Sequence, residues 1–201
     1  MFASATAQQS SPQGTMMSER SAGRIMLGVA AVLFAVTVLQ SLLAPLVYFP
    51  GISQGSVLGF FAVLWAPLVN NGLGSLLVAL VWTVPIGYLA LRHLGARHVA
   101  VIAAVSWVVG GLALWMNAPH SSYSGSYIVV AGLLGVLIAR RCFGADKDGD
   151  TTATWLFLLF AVTLFFRTSA SLSGFAAHLI AAGAAVGASW LITGGGIRVR
   201  P

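Results

Sequence analysis

Charge is what this 201-residue chain has least of: Asp, Glu, Lys and Arg together make up 7% of it, against roughly 25% in a soluble domain. So few charges cannot solvate a globular surface, which excludes an ordinary water-soluble domain and points to the lipid bilayer. A single cysteine, Cys142, excludes an intrachain disulfide; it follows Arg140 and Arg141 and reads as a small filler at a helix end. No Asp, Glu, Lys or Arg lies mid-span in the long apolar runs, and no obvious pair of broken helices is present, so the membrane-embedded carboxylates and broken helices of a transporter are missing. The ten Lys and Arg form no stripe interleaved with aromatics, which argues against a nucleic-acid partner. The run DKDGD, residues 146 to 150, resembles the start of a calcium loop but lacks the remaining spacing and the closing Glu. It reads as a solvated turn, and no metal or cofactor is expected.

What the chain does have is hydrophobicity, 58% of its residues. A spanning helix needs about 20 mainly apolar residues. The expected spans are 25–48, 75–92, 98–116, 126–139, 151–167 and 174–193. The first is too long for the ~7–15-residue core of a secretory signal. Residues 1–24, polar and mostly uncharged, read as a flexible tail, and 194–201 as a short basic one. Between the first two spans, residues 49–72 are apolar but broken by Gly and Pro, and carry Phe60, Phe61 and Trp65. That pattern suits a loop lying in the membrane interface. With six spans and a cytoplasmic N-terminus, every Lys and Arg except Arg167 falls on the cytoplasmic side, as basic residues prefer. The expectation is an all-α polytopic cell-membrane protein, a six-helix bundle with both termini in the cytoplasm.

The fourth span is short. Its fourteen residues, 126–139, cover only ~21 Å of a ~30 Å hydrocarbon core if helical. With the inner end pinned by Arg140 and Arg141, the preceding HSSYSGSY, residues 120–127, must descend into the membrane as non-helical chain. Such chain is tolerated only when shielded by protein or lining a wet cavity. His120, Tyr123 and Gly125 are therefore candidate cavity residues, with Ser124, Ser126 and Tyr127 beside them. The other polar group at that depth is His178, about four residues, or ~6 Å, from the outer end of the sixth span. An ionisable residue inside a span is a functional candidate by default; the alternative is a neutral histidine hydrogen-bonded between helices. Ala177, Ala181, Gly183, Ala184 and Gly187 beside it, and Gly132 and Gly135 on the fourth span, would let the two helices approach closely.

With these residues the chain, over about 55–193, resembles the rhomboid family of intramembrane serine proteases. The likeness rests on the interfacial loop, APLVNNGLGSLL entering the second helix, VGGLALW closing the third, the short fourth helix, and an Ala-His pair with small residues in the sixth. It implies a Ser–His dyad that hydrolyses peptide bonds within the membrane. The serine would come from a G-x-S-G motif opening the fourth helix, and an H-x-x-x-N pattern on the second helix would help hold the oxyanion. His178 fits the base, and Gly132, Gly135 and Arg140 fit the fourth helix. In that register Gly125 takes the first motif glycine, but Tyr127 falls on the nucleophile and Ile128 on the last glycine. Ser75 and Ala79 stand where the second-helix His and Asn belong.

Two functions follow. A rhomboid-like pseudoprotease would bind other transmembrane segments without cutting them. An active serine endopeptidase would instead use Ser124, three residues before the family position, or Ser126, with His178. Tyr127 is a poor substitute nucleophile, since a phenol ionises only near pH ~10. Loss of one oxyanion donor commonly costs ~10²–10³ in rate. An accessory subunit of a membrane complex, needing no polar site, is a third reading.

Overall fold

The structure is a computed structural model that describes residues 17–43, 51–117, 123–143, 152–167 and 172–193. Its elements are helices α1 (Glu19–Leu43), α2 (Val57–Ala62), α3 (Gly72–Leu94), α4 (Ala96–Asn117), α5 (Tyr127–Phe143), α6 (Thr152–Arg167) and α7 (Leu172–Ile192). Among the described residues there is no strand, only one isolated antiparallel bridge between Ile52 and Tyr123. By length and composition α1, α3, α4 and Gly174–Ile192 of α7 can each cross a bilayer, so the chain is of the multi-pass membrane class. With 17 and 16 residues, α5 and α6 are shorter. Leucines such as Leu27, Leu42, Leu77 and Leu191 face outward, which costs nothing where the surroundings are lipid.

The boundaries differ from the expected spans in two informative places. Helix α1 begins at Glu19 rather than Ile25, so the end of the expected tail is helical. The Ser18 hydroxyl accepts from the Ser21 backbone N–H (3.2 Å), satisfying one of the donors a helix start leaves open. Helix α5 begins at Tyr127, as non-helical residues 123–126 require, but continues past Arg140 and Arg141 to Phe143. At 17 residues it is ~26 Å long. The expected shortness is therefore moderate, because the basic pair does not end the helix.

Helix α5 is the centre of the bundle. Ten of its residues are buried, on all sides, and it packs against α3, α4, α6 and α7. Glycine makes this density possible. A Cβ at Gly132 would overlap the Ser106 hydroxyl on α4, and one at Gly135 would lie 2.8 Å from Ala182 Cβ on α7. On α4, a Cβ at Gly110 would collide with Ile128. The buried Ser106 hydroxyl donates to Ile102 O of its own helix (2.6 Å), so the close contact strands no polar group. Helix α1 is peripheral. It lies along α3, with Met26 against Gly87 and an ion pair from Glu19 to Arg92.

Residues 51–71, ahead of α3, lie across the opposite end of the bundle. Their helix α2 turns Val57, Leu58, Phe60 and Phe61 outward. The Trp115 indole donates to Ser56 O (2.9 Å), the Trp107 indole to Val63 O, and the Gln54 amide to Met116 O (3.2 Å). Three side-chain bonds thus fasten an apolar, interface-type segment to α4.

Candidate functional site

The site forms where residues 123–126 enter α5 beside α7. Two backbone tethers fix this stretch. Ile52 and Tyr123 exchange N–H···O bonds of 2.8 and 2.9 Å, and Gly125 N donates to Ala66 O (2.8 Å). Gly125 has φ +112°, a region open to glycine and strained for other residues. A Cβ there would also lie 3.0 Å from the Tyr127 ring.

His178 is buried at 2% exposure on the inner face of α7. Its Nδ1 lies 2.7 Å from Gly174 O. A carbonyl only accepts, so Nδ1 carries the proton and Nε2 presents a lone pair. That lone pair accepts from the Tyr123 hydroxyl at 2.7 Å, and the two rings meet edge to face with centroids 5.4 Å apart. Both imidazole nitrogens are therefore engaged. The hydroxyl on the histidine belongs to Tyr123, which the sequence reading placed only on the cavity wall.

The serines lie elsewhere. The Ser126 hydroxyl is buried and pairs with Thr83 Oγ1 of α3 at 2.7 Å. Ser126 precedes the first residue of α5, and its carbonyl accepts from Val129 N and Val130 N. Ser124 is half-buried in the non-helical stretch. Tyr127, on the position that the family likeness gives to the nucleophile, is 2% exposed and its ring stacks on Phe160 of α6 (6.5 Å). Phe160 also meets Trp82 edge to face (5.3 Å). Ala79 belongs to the same buried apolar cluster as Tyr127, Trp82 and Phe160, while Ser75 is half-buried one turn away on α3. His120 lies outside the described residues.

Two participants escaped the sequence reading. Thr83 follows Ser75 and Ala79 at four-residue spacing on α3, so its face was readable in advance. Asn70 was not, because nothing in a loop asparagine announces burial. It is fully buried, with its amide nitrogen 3.4 Å from Thr37 Oγ1. Thr37 gives its one proton to Leu33 O (2.8 Å), so the Asn70 group facing it must be the donor. Asn70 Oδ1 then turns toward Gly125, without a partner among the described residues.

Nucleophilic catalysis needs a serine hydroxyl within about 2.6–3.2 Å of the base. Here His178 holds a phenol, Ser126 holds a threonine, and the Tyr127 ring sits in an apolar cluster. Among the described residues no group of three or more His, Cys, Asp or Glu is placed to hold a metal. No protein-family model matches the chain, and no curated protein matches it either.

Proposed function

We propose that this chain is a rhomboid-like membrane protein that binds other transmembrane segments and does not cleave them. Six helices would cross the cell membrane, with α5 and α6 as the two short crossings and both termini in the cytoplasm. One observation carries the reading: Tyr123 occupies His178 Nε2 at 2.7 Å, while Ser126 is engaged by Thr83. The dyad that the family likeness implies is replaced by two separate, satisfied pairs.

One feature favours the endopeptidase as a second reading. The Nδ1-protonated tautomer set by Gly174 O leaves on Nε2 the lone pair a general base uses. Rotation of Tyr123 would vacate it for Ser124 or Ser126. Labelling of the purified protein with a fluorophosphonate probe separates the two. The binding reading expects no labelling in wild type, Ser124→Ala, Ser126→Ala or His178→Ala, beside an active rhomboid that labels. Wild-type labelling that disappears in one serine variant and in His178→Ala overturns it and names the nucleophile.

A further inference from the structure

Asn70 stands two residues before α3, in a tight turn where its own carbonyl accepts from Gly72 N (2.8 Å). Its side chain is fully buried, and one end of the amide, Nδ2, donates to Thr37 Oγ1 of α1. The other end, Oδ1, lies 3.7 Å from the point where a Cβ on Gly125 would stand. It accepts no hydrogen bond among the described residues. Buried amide oxygens are nearly always given a donor, from the protein or from ordered water.

A group of the opposite kind flanks the same point. Ser126 N is joined to Gly125 through one carbonyl carbon, so bond lengths keep it within about 4 Å of that position. It belongs to the start of α5, where the first amides have no carbonyl one turn back. Among the described residues no backbone carbonyl accepts from it, and Ser126 is 6% exposed. Its own hydroxyl is taken by Thr83. Oδ1 thus needs a donor where Ser126 N–H needs an acceptor. An anion would satisfy the amide N–H and repel Oδ1, and a cation would do the reverse. Water donates and accepts at once. The place is also small: the Tyr127 ring edge lies 3.0 Å from the Gly125 Cβ point, and Ala66, Gly125 and Tyr127 are all buried.

We propose that one buried water bridges Asn70 Oδ1 and Ser126 N, donating to the first and accepting from the second. Through Asn70 and Thr37 it links α1 to the non-helical entry of α5, the kind of backbone that a membrane protein keeps only where its polar groups are satisfied. The site stands apart from the proposed function and holds whether the chain cuts a partner or only binds it.

The test is X-ray hydroxyl-radical footprinting of the whole protein in lipid nanodiscs. Radicals born from a bound water oxidise the side chain beside it, even where bulk solvent does not reach. The Tyr127 ring, 2% exposed, borders the site. Met26, 5% exposed on α1 against Gly87, is the dry comparison, and its thioether is readily oxidised. Tyr127 should be oxidised several-fold faster than Met26, and a radical scavenger in the buffer should not suppress it. Asn70→Leu, which removes the acceptor at similar volume, should slow Tyr127 oxidation several-fold and leave Met26 unchanged. Tyr127 as protected as Met26 overturns the proposal. Oxidation that the scavenger abolishes comes from bulk solvent and overturns it too. A full Tyr127 signal in folded Asn70→Leu overturns Asn70 as the holder of the water. If that variant does not fold, the wild-type rates with and without scavenger decide alone.

Discussion

Gly132 and Gly135 on α5 and Gly183 and Gly187 on α7 look alike in the sequence, each a pair of glycines in an apolar helix. Their surroundings are opposite. The α5 pair is crowded by Ser106 and Ala182. Over the α7 pair, a Cβ would meet no atom within 4 Å, and both glycines are exposed. The face of α7 that packs inward is Ala177, His178, Ala181 and Ala185. The expectation that Gly183 and Gly187 bring α7 against α5 is thus corrected. They sit on the other side of the helix, and alanine serves on the inner side. Glycine spacing reports that a helix can be approached closely, not which neighbour approaches.

Breaking this comparison gives the largest effect. Gly132→Val forces a branched side chain into Ser106. Overpacking of this kind costs about 1–3 kcal/mol and sometimes more, so a sharp loss of monodisperse protein and of thermal midpoint is expected. Ser106→Gly in the same chain should return part of it, because the two positions share one space. Gly183→Val should stay within about 0.5 kcal/mol of wild type, since it meets nothing in the bundle. Under the proposed function it should nonetheless weaken capture of a partner helix. If Gly132→Val and Gly183→Val destabilise equally, the packing described for α5 and α7 is wrong.

The second contrast is between the two hydroxyl pairs at the mouth of α5. Tyr123→Phe leaves the buried Nε2 of His178 without its donor. Bonds between helices within a membrane average ~0.6 kcal/mol and reach ~1.7, so a loss of about 1 kcal/mol is expected in unfolding experiments. His178→Ala should cost more, up to about 3 kcal/mol, because it strands the Tyr123 hydroxyl and opens a cavity. Neither change should create fluorophosphonate labelling. If Tyr123→Phe gains labelling that Ser126→Ala removes, Tyr123 is a latch over a working serine rather than a replacement for it.

Much of the helical framework was legible because a bilayer leaves the backbone few options: long apolar runs fold as helices to satisfy their own N–H and C=O groups. The non-helical start before Tyr127 was legible from the serines, Gly125 and the shortness of the run. The partner of His178 was not. Ser124, Ser126 and Tyr123 lie within four residues, and in non-helical chain neighbouring side chains diverge widely. What selects Tyr123 is the Ile52 bridge, a long-range backbone pairing with no local signal. The reach of α5 past Arg140 and Arg141 was missed for another reason. Basic residues mark the level of the interface, whereas a helix ends where its caps and loop allow.

The smallest effect tests whether Thr83 and Ser126 form a true pair. Each hydroxyl is buried and 2.7 Å from the other, and either can donate. Thr83→Val and Ser126→Ala should each cost about 0.6 kcal/mol, the common value for such bonds in membranes. The double variant should cost little more than either single one, because the first change already removes the shared bond. The coupling in this double-mutant cycle would then equal roughly one hydrogen bond. Strict additivity would mean that each hydroxyl acts alone. Ser126 would then be as available to His178 as Ser124 is, and the case against a serine nucleophile would rest on Tyr123 by itself.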